Sequence, residues 1–290
     1  MFRNQLVVLS LFIMLPFTLK ALGQECSRSF KEVRGPVTFG RIFVANDGRK
    51  YTVGGNGEIM IRTDQNLLER HTGSKVDLNG VYFIDGFSGY VVGEGGSIFV
   101  THDGAVSWKP LDSGTRHHLR AISCRGPSNC WAVGDKGTVV FTTDGESWSR
   151  SVTGFDDDLF AVSFDHQRSV WVGGDSGRLA RLIDGRSTWK TIKTLQSNSF
   201  RASEFLPSTW KSIYFFDAEF GCVSSSFVAA CTSDGGNSWA RPSFSKTIQN
   251  NSSFPLVGLA EVSNRPTFLV SCIGDFVTTD RGQTWSHKQP

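Results

Sequence analysis

Two short polar segments near the middle of the sequence carry side chains that could bind a ligand or a metal ion. Imidazole and carboxylate groups can bind zinc, and a guanidinium group pairs with a carboxylate in a bidentate geometry. The segments could form a polar recognition surface or a metal site, or they could be loop charges that only contact water. We predict a recognition surface without a metal or cofactor. The residues are Arg116, His117, His118 and Arg120 in the first segment and Asp156, Asp157 and Asp158 in the second.

A second set of carboxylates recurs along the chain, each followed four or five residues later by a tryptophan. This pattern is the Asp-box. An aspartate can accept backbone N–H groups within its own turn, and the tryptophan can pack into a sheet. A catalytic site needs different residues that converge, and calcium needs clustered acidic ligands, so we predict a structural role. The pairs are Asp103 with Trp108, Asp144 with Trp148, Asp184 with Trp189, Asp234 with Trp239 and Asp280 with Trp285, while Asp64 belongs to a degenerate copy.

Glycoside hydrolysis by a sialidase-like mechanism is the enzymatic alternative. It needs an arginine cluster, a tyrosine nucleophile and an acidic partner. Of the four tyrosines, three fall at predicted strand positions, and Tyr214 lies beside two phenylalanines where a core position is expected. The Arg-Ile pair at 41–42 is followed by Phe43 and not by the proline of the sialidase signature. We therefore predict no catalytic residue.

Glycines and aromatic residues precede each Asp-box at constant spacing. In one copy, Trp131, Gly134 and Gly137 lie thirteen, ten and seven residues before Asp144. The two glycines are expected to supply the positive φ angles of a tight hairpin. An alternating segment upstream, such as 119–124, predicts a further strand. Each repeat therefore contains four strands, a to d, with the Asp-box between c and d.

A four-stranded sheet cannot bury both of its faces alone, and radial packing of several such sheets solves this problem. Repeats of about 40 to 50 residues are typical of propellers. The sequence predicts an all-β fold, a β-propeller of four-stranded antiparallel blades, with six blades and seven as the alternative. The segment 29–35 resembles strand d and is expected to pair with the last blade.

The beginning of the chain and its cysteines indicate export. Residues 1–23 have the pattern of a signal peptide, with an uncleaved anchor as the alternative, and residues 24–290 are then one domain. Six cysteines in an exported chain suggest disulfides and a periplasmic or extracellular location. Local geometry favours Cys124 with Cys130 and Cys222 with Cys231. This leaves Cys26 and Cys272 to join the N-terminus to the last unit.

Charge and loop composition bear on the kind of partner. A net charge of +3 over 290 residues, without a run of Lys or Arg, argues against nucleic acid. Two long connections, 193–210 and 241–254, place phenylalanine in loops, one of them beside arginine, which suits a protein interface better than a sugar pocket. We predict that Phe200, Arg201 and Phe205 contact a protein partner, and that the chain is a monomer.

The complete repeat, as in Cys130-Trp-Ala-Val-Gly-Asp-Lys-Gly-Thr-Val-Val-Phe-Thr-Thr-Asp-Gly-Glu-Ser-Trp148, resembles the photosystem II stability/assembly factor family over residues 37 to 289. The resemblance implies a non-catalytic exported scaffold that binds another protein. In phototrophic members this is a photosystem II reaction-centre subunit, a membrane protein, and the location is the thylakoid lumen. Seven blades are usual in that family. Asp-box propellers also include sialidases and some endoglucanases, so a carbohydrate-active propeller is the alternative.

Overall fold

The computed structural model of the chain describes residues 33–34, 37–39, 42–45, 47–63, 65–183, 188–192, 209–225, 228–244, 256–262, 265–270 and 274–287. Within these ranges the regular secondary structure is β-strand, apart from three single turns of 3₁₀-helix at Gly55–Gly57, Glu94–Gly96 and Asp175–Gly177. None of the described residues belongs to a helix with the length and apolar character required to cross a membrane.

The described strands form six sheets that follow one another along the chain. A short first strand, β1 (Val33–Arg34), belongs to the sixth. Sheet 1 contains β2 (Val37–Phe39), β3 (Ile42–Val44), β4 (Lys50–Val53), β5 (Glu58–Arg62) and β6 (Leu67–His71). Sheet 2 contains β7 (Leu78–Phe83), β8 (Gly89–Gly93), β9 (Ile98–Thr101) and β10 (Lys109–Leu111). Sheet 3 contains β11 (Leu119–Cys124), β12 (Cys130–Gly134), β13 (Val139–Thr142) and β14 (Trp148–Ser151).

The later sheets repeat this plan with more variation. Sheet 4 contains β15 (Leu159–Phe164), β16 (Val170–Gly174), β17 (Leu179–Leu182) and β18 (Trp189–Thr191). Sheet 5 contains β19 (Ser212–Phe215), β20 (Gly221–Ser224) and β21 (Ala229–Thr232), and Ala240 forms a bridge to Cys231 where strand d would pair. Sheet 6 contains β22 (Ser243–Phe244), β23 (Leu256–Val262), β24 (Arg265–Val270), β25 (Gly274–Val277) and β26 (Thr284–His287), with β1 at its other edge.

The hydrophobic core lies between neighbouring sheets. Phe43 and Tyr51 of sheet 1 pack with Val81 of sheet 2 in one buried cluster, and equivalent clusters join sheets 2 and 3, 3 and 4, and 4 and 5. Strand β23 of the last sheet also lies beside β2 of the first. Packing of this kind buries the faces that neighbouring sheets turn towards each other, which confirms the predicted all-β propeller architecture.

The N-terminal segment joins the sixth sheet by an unexpected edge. Val33 pairs with Val262 and Arg34 with Glu261, so β1 adds to β23, the first strand of that sheet. The prediction of pairing with the last blade is right, but a strand-d position is wrong, because strand d would pair with β25. Strand β26 already occupies that position.

Two predicted disulfides are confirmed. One disulfide joins Cys124 to Cys130 and a second joins Cys222 to Cys231, with Cα–Cα distances of 4.0 and 4.1 Å. Each bridge links residues that are already cross-strand neighbours. Cys26 and Cys272 lie outside the described residues.

The repeated glycines play two different roles, and the prediction of positive φ at both is wrong. Gly96, Gly137 and Gly177 have φ of 77°, 62° and 70°. The earlier glycines, such as Gly93 and Gly174, are extended at −165° and −163°. Three of the four are required for close approach instead, because an added Cβ at Gly93, Gly134 or Gly174 would collide with the carbonyl oxygen of Asp77, His118 or Asp158 respectively.

Candidate partner-binding face

One end of the sheets gathers the turns between strands b and c and the connections between sheets. In an antiparallel sheet alternate turns lie at the same end, so the turns at 54–57, 93–96, 134–137 and 174–177 lie beside the connections at 72–77, 112–118 and 152–158. We call this end the loop face. It contains all seven residues predicted in the two polar segments, whereas Phe200, Arg201 and Phe205 lie outside the described residues.

A pair of hydrogen bonds repeats three times on the loop face and joins sheets 1 and 2, sheets 2 and 3, and sheets 3 and 4. The side chain of Asp158 accepts the N–H of Lys136 in sheet 3 at 2.9 Å, and its carbonyl accepts the N–H of Asp175 in sheet 4 at 2.9 Å. Asp77 makes the same two contacts with Asn56 and Glu94 at 3.1 and 2.9 Å. We call the three residues in this position, Asp77, His118 and Asp158, the inter-sheet clasp.

His118 occupies the clasp position between sheets 2 and 3. Its Nδ1 accepts the N–H of Gly95 at 3.0 Å, and its carbonyl accepts the N–H of Asp135 at 3.0 Å. The contact requires Nδ1 to be unprotonated. The predicted partner-binding role of His118 therefore competes with a structural one.

Arg120 is held by its neighbours on three sides. Its Nε donates to Asp135 Oδ1, its Nη2 lies 3.9 Å from Asp158 Oδ2, and its guanidinium stacks over the ring of Phe160 at 4.9 Å. These contacts fix a half-buried cation at the start of β11. Fixed side chains lose little conformational entropy on binding a partner.

Asp157 is likewise engaged within the chain. Its carboxylate accepts from Nε and Nη2 of Arg178 at 2.7 and 2.6 Å, and its carbonyl accepts the N–H of Gly137 at 2.8 Å. Arg178 in turn stacks over Phe155 at 4.8 Å. The aspartate triplet is therefore divided, because Asp157 and Asp158 stabilise the loops.

Several side chains of the loop face point into solvent. Arg116, Lys136 and Asp156 are exposed, and no ion pair among the described residues engages them. Val152, at the start of the same connection as Asp156, is 80% exposed. His117 is half-buried and its Nδ1 lies 2.7 Å from Thr138 Oγ1. The face thus presents both charge signs and an apolar group on a hydrogen-bonded framework.

The Asp-box turns lie at the opposite end. Asp103 Oδ1 accepts the N–H groups of Val106 and Ser107 at 3.0 and 2.9 Å, and Oδ2 accepts the Ser107 hydroxyl at 2.6 Å. These bonds, that of the Ser107 hydroxyl first, lower the pKa of Asp103 to about 2. Asp144, Asp234 and Asp280 accept the same kind of bonds. Asp184 lies outside the described residues.

The Asp-box tryptophans pack to different depths. Trp148, Trp239 and Trp285 are buried, whereas Trp108 and Trp189 are half-buried. In sheets 5 and 6 the indole N–H donates back into the turn, from Trp239 to the carbonyl of Gly236 at 3.1 Å and from Trp285 to the carbonyl of Gly282 at 3.2 Å.

No group of three His, Cys, Asp or Glu side chains within the described ranges is placed to hold a metal ion.

Sequence reasoning missed the clasp and the partners of Arg120 and Asp157. A signal for the clasp was present, because Asp77, His118 and Asp158 each stand directly before the leucine that begins strand a. Tyr214 was expected in the core, but it is half-buried and lines a cavity between the first strands of the sheets.

Comparisons with known proteins define the architecture. Neither a scan against protein-family models nor a search of curated proteins finds a match. Among solved structures, YCF48 bound to a D1 peptide aligns with a TM-score of 0.62 and 17% identity, over 89% of this chain and 81% of that chain. Similarity at this identity establishes a shared fold, and the chain is a β-propeller.

Enzymes with related propellers align equally well. The GH74 enzyme from Niastella koreensis gives a TM-score of 0.63 at 12% identity, over 91% of this chain and 48% of that chain. The GH74 xyloglucanase from Xanthomonas campestris gives 0.60 at 12% identity, over 82% and 45%. This chain spans less than half the length of either glycosidase.

Proposed function

We propose that this chain is a non-catalytic, exported scaffold that binds another protein through its loop face. The observation that carries the proposal is the contrast on that face between fixed and solvent-facing side chains. Arg120, Asp157 and Asp158 hold the loops in place, while Arg116, Lys136 and Asp156 project without ion-pair partners among the described residues. A rigid surface with unpaired groups can bind without a large entropic cost.

The chemistry of the face suits a polypeptide. Charges of both signs beside the exposed Val152 match the mixed polar and apolar composition of non-obligate protein interfaces. A partner segment with an acidic and a basic residue near an apolar one would pair with Arg116 or Lys136 and with Asp156. The small net charge of +3 provides no strong field that would favour nucleic acid.

Structural similarity supports a polypeptide ligand. YCF48, which shares the propeller fold, is bound to a D1 peptide in the structure that aligns with this chain. By extension we propose a partner of the same kind, a segment of a membrane-protein subunit, and a role like that of photosystem II assembly factors. The chain would bind it as a monomer and without a cofactor.

The proposal includes export. The two disulfides are typical of an oxidising compartment, and residues 1–23 would act as the signal peptide of a domain at 24–290. The compartment would be the periplasm or the extracellular space, or the thylakoid lumen in an oxygenic phototroph.

A photo-crosslinking experiment tests the proposed face. A photoreactive amino acid at position 152 should capture a specific partner in the native host, and the same substitution at Arg150, which is exposed on β14, should not. Charge reversal by Arg116→Glu with Lys136→Glu should lower the yield at position 152 by about tenfold, since whichever cation pairs with the acidic residue of the partner is replaced by a charge that repels it. Equal capture at both positions, or a yield that charge reversal leaves unchanged, would refute the role of this face.

A carbohydrate-active propeller is the second candidate, because two GH74 enzymes share the fold. Hydrolysis by a carboxylate pair needs one acid whose pKa is raised. The aspartates with shifted pKa in the described residues, such as Asp103, Asp217 and Asp280, are shifted downward. Release of reducing sugar from xyloglucan, or cleavage of a fluorogenic sialoside, by the purified chain would favour the enzyme over the scaffold.

A further inference from the structure

The first strands of sheets 2 to 5 lie side by side and enclose a cavity. β7 contacts β11, β11 contacts β15, and β15 contacts β19. The cavity has a volume of about 200 Å³. Each strand lies within a six-residue pattern, and the fifth residue of that pattern is half-buried and lines the cavity. These fifth residues are Tyr82, Ser123, Ser163 and Tyr214.

The cavity therefore carries a band of four hydroxyl groups. No hydrogen bond within the described part of the chain engages the hydroxyls of Ser123 and Ser163. Burial raises the pKa of Tyr82 to about 12, so its phenol remains a hydrogen-bond donor at neutral pH. Polar groups inside a cavity are expected to bind water or a ligand.

The charges around the cavity favour an anion. Arg125 lines it two residues after Ser123, and residues two apart on an extended strand face the same side. Lys211 lines the other end. None of the described lining residues is an aspartate or a glutamate. Asp165 follows β15 as Arg125 follows β11. Its carboxylate forms an ion pair with Arg181 at 3.2 Å and accepts the indole N–H of Trp171 at 2.9 Å, so it already has partners within the chain.

Aromatic rings form the remaining walls. Phe160 and Phe164 of β15, together with the rings of Tyr82 and Tyr214, line the cavity around the hydroxyl band. An engineered cavity of about 150 Å³ is large enough for benzene, so this volume suits a single ring with a short substituent.

We propose that this cavity is a binding site for a small organic carboxylate with an aromatic or similarly flat apolar body. The Arg125 guanidinium pairs with the carboxylate, the hydroxyls of Ser123 and Ser163 donate to it, and the rings pack against the body of the ligand. Arg125 stands at the Asp-box end of the cavity, whereas Phe160 and Lys211 line it towards the loop face.

Isothermal titration with 4-hydroxyphenylacetate tests the site, and 4-hydroxyphenylacetamide is the matched neutral probe. The carboxylate should bind with a Kd of about 1 mM or lower, and the amide should bind about tenfold more weakly because it lacks the charge-assisted pair. Arg125→Gln should weaken carboxylate binding by about tenfold. Arg150→Gln, an exposed arginine on β14 of the same sheet, should leave it unchanged.

The melting temperature of Arg125→Gln should equal that of the wild type, since the Arg125 side chain is exposed, so a loss of binding cannot be attributed to unfolding. Absence of binding at about 10 mM ligand, equal binding of acid and amide, or an Arg125→Gln variant that binds normally would overturn the proposal. These readouts use a small ligand and a variant at the Asp-box end, and not a protein partner or a loop-face variant, so their failure would leave the crosslinking test of the proposed partner-binding function unaffected.

Discussion

Asp158 joins two sheets at once, since its carboxylate accepts the N–H of Lys136 in sheet 3 and its carbonyl accepts the N–H of Asp175 in sheet 4. Asp175 begins its turn and Lys136, with a φ of 52°, lies inside the other turn, and neither N–H donates to an acceptor within its own turn. Contacts between one sheet and the next replace the missing partners. The stability of this propeller therefore depends on single residues that stand between its repeats.

Replacing Asp158 should reduce stability measurably. Asp158→Ala removes the acceptor of the Lys136 N–H, and we expect a loss of about 1 to 2 kcal/mol in the free energy of unfolding, as for other capping carboxylates. Asp156→Ala, in the same connection but exposed, should change it by less than about 0.5 kcal/mol. Urea denaturation of both variants measures the difference, and equal losses would contradict the clasp.

Two glycines at equivalent positions should differ strongly in how much stability the protein loses when each is replaced by alanine. Gly134 and Gly54 both precede a turn between strands b and c, but an added Cβ at Gly134 meets the His118 carbonyl, whereas at Gly54 nothing lies within 4 Å. Gly134→Ala should cost about 2 to 3 kcal/mol through the forced backbone shift. Gly54→Ala should remain within about 0.5 kcal/mol of the wild type. Thermal unfolding of the two variants compares them directly.

These two predictions mark where the sequence is informative and where it is not. The repeat, the strands and the disulfides could be predicted because their causes are local. Alternation and glycine spacing define the strands, and Cys124 and Cys130 are neighbours across one hairpin. The role of Gly134 could not be predicted, because the atom that it must avoid belongs to the connection that precedes the first strand of the sheet.

The contacts of the loop face were harder to predict than the glycine roles, because they depend on how neighbouring sheets are positioned relative to each other. The triplet at 156–158 is uniform in sequence, yet Asp157 pairs with Arg178, Asp158 with the backbone of Lys136, and Asp156 faces solvent. Only the relative position of sheets 3 and 4 distinguishes them. For the same reason the half-buried position of Tyr214 could not be inferred from its aromatic neighbours.

The Asp-box carboxylates should make stability depend on pH in the acid range. Hydrogen bonds hold the pKa of Asp103 at about 2, below its ordinary value of 3.8. The unfolded state therefore binds a proton first as the pH falls, and the contribution of Asp103 is complete above pH 3.8 and lost as the pH approaches 2. In urea titrations, Asp103→Asn should show a shallower fall in midpoint over this window than the wild type. Arg150→Gln, an exposed residue on β14 with no ion-pair partner among the described residues, is a control that should retain the wild-type slope.

A buried ion pair in sheet 4 should be the most sensitive polar contact among these. The Asp165 carboxylate accepts from the Trp171 indole at 2.9 Å and lies 3.2 Å from Arg181, and its side chain is 3% exposed. Asp165→Ala would leave a buried indole N–H without its acceptor and a half-buried guanidinium without its counter-charge, although Arg181 still donates to Ser169, and we expect a loss of about 3 kcal/mol. Asp165→Leu combined with Arg181→Met should recover much of this loss, because an apolar pair avoids the desolvation cost of the charges. Urea denaturation of the single and double variants decides the matter, and a double variant as unstable as Asp165→Ala would indicate that packing, and not the unpaired charge, sets the cost.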